Sequence, residues 1–298
     1  MAGFGIELSE SLASLVESVG KSVVRVTGRH RAASSGVVWE PGLVVTTHHG
    51  LEADVALSVD LGDGLERPAT HLGSDPGTDL ALLRIDPGQG SPARFDEGAG
   101  LKVGYLVLKL GRPGKTVRAT AGIVSALGRN SWRTRSGSEI SSYLETDAAP
   151  SPGFSGGPLL GLEGGVLGIN TSGLLRGVSL TVPTATVRQV VASLLAHGRI
   201  RRGYLGVSSQ PVHLPGDVQQ ATGEEVGLLI LAVEPGGPAD KAGLVFGDTV
   251  LRLGGDEVKD FGDLQAFLRE DHVGQTVPLK ILRSAVVKDL SITIGQRP

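Results

Sequence analysis

Gly153-Phe154-Ser155-Gly156-Gly157-Pro158 sets a serine between glycines. The stretch has the form Gly-x-Ser-x-Gly, which in one large class of α/β folds puts a serine on a sharp turn from strand to helix. No strand-then-helix context surrounds it here, so that fold loses ground. The glycines read instead as a turn in which backbone N–H groups converge, a geometry suited to holding an oxyanion. A Gly-Ser-Gly turn is also common in ordinary loops, so its neighbourhood has to decide.

Outward from that turn, short β-branched or aliphatic runs recur at 23–26, 36–39, 43–46, 55–59, 80–85, 105–110, 122–127, 165–170 and 178–182, punctuated by Gly, Pro, Asp or Asn. Many short strands with few helices predict a mainly β fold, an antiparallel barrel or sandwich. The 45 glycines suit its tight turns. One amphipathic helix carries Leu8, Leu12, Leu15, Val16 and Val19 and ends near Gly20. A second spans 184–197, with Val187, Val190, Val191, Leu194 and Leu195 on one face, and stops at Gly198. The basic Arg199, Arg201 and Arg202 follow and mark a boundary, giving domains 1–198 and 199–298. The second domain reads as a small module with strands near 204–207, 227–233, 249–253, 276–282 and 290–294, and one helix bearing Leu264, Phe267 and Leu268.

The 298 residues carry a net charge of −3, which gives no bias toward nucleic acid. The basic cluster at 129–135 reads as a solvated loop. With no cysteine, disulfides, thiolate metal sites and cysteine nucleophiles are excluded. Residues 1–10 lack the basic and apolar regions of a signal peptide, and no later run is long enough to span a bilayer.

A serine attacks a carbonyl well only when a base takes its proton and a third group holds that base in the useful tautomer. His49 follows Leu43-Val44-Val45-Thr46-Thr47, where a strand should end. His48 is its rival. The pair also raises the question of a metal, but adjacent side chains diverge and ligand spacings are missing, so neither metal nor cofactor is expected. Asp79 opens the apolar run Leu80-Ala81-Leu82-Leu83; it reads as a turn cap or as the carboxylate behind the histidine. The order His, Asp, Ser is that of the chymotrypsin class.

These elements resemble the HtrA (Deg) family of serine proteases with a C-terminal PDZ domain. The resemblance is carried by Thr46-Thr47-His48-His49, by Gly73-Ser74-Asp75 with residues 78–83, and by residues 120–126. It continues through Glu145-Thr146-Asp147-Ala148-Ala149, Ser155-Gly156-Gly157-Pro158-Leu159, Ile169-Asn170 and residues 201–207. It implies a chymotrypsin-like double six-stranded β-barrel followed by a PDZ domain. It assigns His49 rather than His48 as the base, with Asp79 and Ser155, and an oxyanion hole from the N–H groups of Gly153 and Ser155. Pro150 would floor the specificity pocket and Ser179, Leu180 and Thr181 would pair with substrate. No acidic residue is evident at that floor, so small or medium aliphatic P1 side chains are expected.

In the second domain, Tyr204, Leu205, Gly206 and Val207 resemble a carboxylate-binding loop for C-terminal peptides. Later matches support it: residues 238–244, Gly247-Asp248, read as architectural, and the helix with Leu264. Unfolded or damaged proteins as substrates, a homotrimer with Phe4 as a candidate contact, and a periplasmic or extracytoplasmic setting are implied by the family; the N-terminus itself leaves the cytoplasm open. The chain departs from the family at Phe154, where asparagine is usual, at His48 and Gly50, and in its short 28–35 segment. A resting-inactive chaperone or peptide sensor, with Phe154 holding the oxyanion loop closed, is the alternative. The loop 128–139 is a candidate activation element or a plain exposed hairpin.

Overall fold

The computed structural model describes residues 2–30, 32–128, 132–133, 139–140, 143–149, 151–174, 178, 180–200, 203–268 and 272–296. They fall into two compact units, 1–200 and 201–298.

The first unit opens with α1 (Ala2–Gly20), whose Leu12, Leu15, Val16 and Val19 lie against Val23, Leu108, Leu110, Leu160 and Val166. Arg112 ties its end down, donating from its guanidinium to the carbonyls of Gly20, Val23 and Lys115. A cation belongs there, at the carbonyl end of a helix, and three acceptors offset its burial.

Seven strands follow: β1 (Val23–Thr27), β2 (Ser34–Glu40), β3 (Leu43–Thr47), β4 (Ser58–Asp60), β5 (Glu66–Pro68), β6 (Thr70–Asp75) and β7 (Leu80–Arg84). They form an antiparallel sheet in the order β5-β4-β1-β2-β3-β7-β6. Next come β8 (Leu106–Gly111), β9 (Arg118–Gly128), a small pair β10 (Trp132–Arg133) and β11 (Glu139–Ile140), then β12 (Tyr143–Thr146), β13 (Pro158–Gly161), β14 (Val166–Thr171) and β15 (Leu180–Pro183). Of these, β12-β15-β14-β13-β8-β9 close into a six-stranded barrel, filled by Val107, Val124, Leu144, Leu159 and Leu167. α2 (Thr184–His197) lays Val187, Val190, Val191 and Leu194 on Val37, Val45, Leu80 and Leu82 of the first sheet. It stops where Gly198 turns left-handed at φ 69, a conformation glycine adopts without a Cβ clash.

The mainly β expectation holds, with one correction to the strand count. The first sheet has seven strands rather than six, because the three-residue β5 adds to β4 at its edge. Its sequence Glu66-Arg67-Pro68 has no apolar alternation by which to read a strand, and charge with proline is how an exposed edge is blunted.

The second unit contains β16 (Gly203–Tyr204), β17 (Val207–His213), α3 (Gly216–Thr222), β18 (Val226–Val233), α4 (Pro238–Lys241), β19 (Thr249–Leu253), β20 (Asp256–Glu257), α5 (Phe261–Phe267), β21 (Thr276–Arg283), β22 (Val286–Thr293) and β23 (Gly295–Gln296). Its main sheet runs β17-β18-β19-β21-β22, with β20 added on β19, and β16 pairs with β23. α5 is the helix expected from Leu264. α3 and α4 were not expected: α3 buries only Val218, and α4 is a single turn begun by a proline.

Asp248 is fully buried, accepts the Val245 N–H at 2.8 Å, and meets Arg283 in two 2.7 Å contacts. Gly247-Asp248 is therefore architectural. Arg283→Met leaves a buried carboxylate without its cation, which typically costs about 3–5 kcal/mol. We expect hydrogen exchange to show loss of amide protection throughout residues 201–298 by that amount, with residues 1–200 unaffected.

Candidate active site

The strand β3 ends at Thr47 and a single 3₁₀ turn, His48–Gly50, carries both histidines. They part company at once. His48 Nδ1 meets Ser74 Oγ at 3.0 Å, whereas His49 Nδ1 meets Asp79 Oδ2 at 2.6 Å. Asp79 Oδ1 accepts the His49 backbone N–H at 2.9 Å, and the Asp79 carbonyl accepts that of His48 at 3.0 Å. Asp79 is buried just before β7 with φ at 60°, a left-handed conformation that is costly for a residue with a Cβ and tends to mark functional sites.

Thr171, at the end of β14, donates its hydroxyl to Asp79 Oδ2 and accepts the Gly173 N–H at 2.9 Å. A Cβ on Gly173 would lie 2.6 Å from both Asp79 Oδ2 and His49 Nδ1, so the chain closes over the pair only because this residue is glycine. Between them, Ser172 Oγ sits 3.0 Å from Ser155 Oγ. Segment 171–173 thus brings the serine to the histidine–aspartate pair. Among the described residues the Ser155 hydroxyl is bonded to Ser172 and not to His49.

The turn around Ser155 is locked from below. The Gly156 N–H donates to the Asn170 carbonyl at 2.8 Å, the Gly157 N–H to that of Phe154 at 3.0 Å, and the Ser155 carbonyl accepts the Ser35 N–H at 2.9 Å. The Ser35 hydroxyl donates to the Gly153 carbonyl at 2.6 Å and accepts the Arg112 N–H at 2.8 Å. Gly153 has φ 80 and Gly156 φ 87. Among the described residues, the N–H groups of Gly153 and Ser155 have no acceptor in the protein. Phe154 is buried, its ring over Gly111, where a Cβ would approach Phe154 Cδ1 to 2.8 Å. The apolar side chain thus braces the turn by packing.

Thr171, Ser172, Gly173, Ser35 and Gly111 were not read from the sequence. Thr171 and Gly173 look like the end of a strand; the one signal was their place just after Ile169-Asn170.

Pro150 and Ser179 lie outside the described residues, as does most of the segment 129–142. Leu180 and Thr181 are buried in β15, which is paired on one side to Glu145 and Leu144 and on the other to Thr171 and Asn170. Both its edges are taken, so these two residues cannot add a substrate strand, and the expectation is corrected. Lys109, by contrast, is a buried cation on β8, 3% exposed, and burial pulls its pKa down to about 8.

In the second unit, the carbonyls of Leu205 and Gly206 accept the N–H groups of Ala239 and Glu234, both at 2.8 Å, while the N–H groups of Leu205 and Gly206 have no acceptor among the described residues. Leu205 is buried, Tyr204 and Val207 are half-buried, and Gly206 takes φ 77. β17, which follows, ends the sheet and among the described residues pairs with β18 alone. One group of described residues has metal-ligand spacing, the exposed His30, Glu52 and Asp54.

Residues 34–169 match the trypsin-like peptidase domain family and residues 203–294 the PDZ domain family. Fold and site together define a trypsin-like serine peptidase domain followed by a PDZ domain. Among solved structures, the HtrA-type protease AlgW with a tripeptide is 31% identical, with 96% of this chain and 97% of that one aligned at a TM-score of 0.79. The serine endoprotease from Yersinia pestis is 28% identical over 95% and 97%, with a TM-score of 0.78. A probable periplasmic serine endoprotease, DegP-like, from Chlamydia pneumoniae is 33% identical over 93% of this chain and 56% of that protein. Its counterpart from Ectopseudomonas mendocina is 37% identical over 91% and 58%. The chain belongs to the HtrA (Deg) family. It spans little more than half the length of these curated relatives.

Two outcomes follow from the geometry. Gly173→Ala forces Asp79 and His49 apart, and the low-field imidazole Hδ1 resonance of His49 is lost. Burial holds the Lys109 pKa below its unfolded value, so its protonation weighs against folding at pH 7. Since the unfolded chain holds that proton longer, native stability itself rises as pH climbs from about 8 to about 10. Parallel urea titrations will show the rise, and Lys109→Met is expected to flatten it.

Proposed function

We propose that the chain is a serine endopeptidase that cleaves unfolded or damaged proteins through an acyl-enzyme without ATP, in protein quality control. The observation that carries this reading is the buried Asp79 carboxylate 2.6 Å from His49 Nδ1, joined through segment 171–173 to the hydroxyl of Ser155. With Nδ1–H donating to Asp79, Nε2 is the basic nitrogen. As Ser155 Oγ bonds to the scissile carbonyl carbon, Nε2 takes its proton and the carbonyl π pair moves to oxygen, where the free N–H groups of Gly153 and Ser155 receive it. Collapse of that adduct breaks the C–N bond, and His49 returns the proton to the departing amine. Water, deprotonated by His49, then attacks the ester, releasing the acid and restoring the Ser155 hydroxyl.

In this assignment residues 1–198 are the peptidase domain and 199–298 bind C-terminal peptides. The amides of Leu205 and Gly206 receive the carboxylate, and the open edge of β17 accepts the peptide as an added strand. Exposed Tyr105, Leu106 and Leu162 line one cavity on the barrel and support self-association, with a homotrimer as the family's form. The relatives' description as periplasmic supports that setting. Small or medium aliphatic P1 side chains remain the preference drawn from the sequence.

The Ser155–Ser172 hydrogen bond favours a second state of the same enzyme, in which the nucleophile rests on Ser172 and must rotate toward His49, as catalytic contacts in unliganded sites often tighten only with substrate.

An active-site phosphonate is expected to label Ser155 in the presence of unfolded casein and a hydrophobic C-terminal peptide, and Ser155→Ala to lower kcat by about 10⁶. Labelling absent under those conditions sinks the peptidase reading. Ser172→Ala frees the hydroxyl and raises kcat/KM by about 2- to 10-fold, the worth of one hydrogen bond; a fall in rate would rule out the resting contact.

A further inference from the structure

Strand β17 is antiparallel to β18 and has, among the described residues, no neighbour on its other side. The direction of its backbone bonds is fixed just beyond both ends. At one, the Leu214 N–H donates to the Glu225 carbonyl at 2.9 Å; at the other, the Gly206 carbonyl accepts the Glu234 N–H at 2.8 Å. In an antiparallel pair, residues that exchange bonds with the neighbour alternate with residues whose N–H and C=O point away from it. Gly206 and Leu214 fall on the same phase of that alternation. The register shift at Ser208/Ser209 is taken up by one extra residue of β18, Leu231, so β17 keeps its phase throughout. Ser208, Gln210 and Val212 therefore bond toward β18, and the backbone groups of Val207, Ser209, Pro211 and His213 face the open edge.

Pro211 agrees with this phase. A proline is tolerated in a ladder where its nitrogen looks away from the neighbouring strand, and Pro211 is exposed. The open edge thus offers an N–H and a carbonyl at Val207 and again at Ser209, a carbonyl alone at Pro211, and both groups once more at His213. A peptide whose terminal carboxylate is received by the amides of Leu205 and Gly206 runs antiparallel along this edge, one residue to each residue of β17. Its last residue lies opposite Val207, its third from last opposite Ser209 and its fifth from last opposite Pro211. At the first two positions both backbone groups of the peptide find partners. At Pro211 its carbonyl meets the ring Cδ where a donor would stand. Drawn into the sheet there, the carbonyl loses water and gains no bond, which outweighs the single bond its N–H could make to the Pro211 carbonyl.

We infer that Pro211 ends the peptide site, so that the second unit reads the last three residues of a ligand by backbone pairing and the chain upstream of them leaves the sheet for water. The inference rests on the peptide-binding reading of this unit. It makes the ligand class a short free C-terminus, which a partner can present while staying folded to within a few residues of its end, and not a long extended segment. The same proline blunts the rest of the edge against pairing with another sheet.

The test measures affinity against length. Full-length Ser155→Ala, chosen to exclude cleavage, is titrated with N-acetyl peptides ending in Ala-Leu-Val and lengthened with alanine from three residues to eight, each as free acid and as C-terminal amide. The acids are expected to bind about tenfold or more tightly than the amides, as hydrogen bonds to a charged group provide, and to agree with one another within about twofold at all lengths. Pro211→Ala in the same background restores a donor at the edge. It should strengthen peptides of five residues or more by about 2- to 10-fold, the worth of one hydrogen bond, and leave the three-residue peptide unchanged. Amide hydrogen exchange reads the same stop without a second substitution: the eight-residue acid slows exchange at Val207 and Ser209 and leaves that at His213 as it was. Affinity that keeps rising beyond three residues, protection that reaches His213, or a Pro211→Ala effect that is absent or independent of length overturns the inference and leaves peptide binding in place. Acids that bind no better than amides remove the carboxylate site at Leu205 and Gly206, and the stop at Pro211 with it.

Discussion

The carboxylate of Asp79 adds a polar joint to two sheets that already share an apolar core through Val37, Val45, Ile169 and Val182. It takes two contacts from His49 at the end of β3 and one from Thr171 at the end of β14, so it joins the first sheet to the closed barrel. A buried carboxylate is tolerable only when its lone pairs are used, and here they are. The left-handed backbone at Asp79 costs roughly 1–2 kcal/mol, which these contacts must outweigh. Once Asp79 is fixed, the tautomer of His49 is fixed, and Gly173 can close over both.

Much of this was legible in the sequence, and what was legible has a pattern. His49, Asp79 and Ser155 stood at changes of texture, each where an apolar run begins or ends or where glycines cluster. α2 was readable to its end because its apolar face repeats at helical spacing and Gly198 stops it. Thr171, Ser172 and Ser35 were invisible because their contacts exist only after distant strands pair; nothing local separates a threonine bonded to a buried carboxylate from one on any strand end. β5 and α4 were missed because a three-residue strand and a single helical turn are too short to show a period. Leu180 and Thr181 failed for another reason: resemblance can point to a neighbourhood, but only register shows that both edges of β15 are occupied.

The two units use the same backbone device for different ends. At Gly153 and Ser155, and again at Leu205 and Gly206, the carbonyls accept hydrogen bonds within the protein while the N–H groups have no acceptor among the described residues. Left-handed glycines make this orientation cheap, at Gly153 and Gly206 alike. The result is a concentration of partial positive charge supplied by backbone N–H groups, the kind of concavity in which anions bind.

Arg112 has a consequence reaching past the helix it anchors. Its guanidinium grips the last carbonyl of α1, and its own N–H holds the Ser35 hydroxyl, which in turn holds the carbonyl of Gly153. The chain's first helix and the peptide plane beside Ser155 are therefore the two ends of one short linkage. A pull on the first helix is in mechanical series with the turn that carries Ser155.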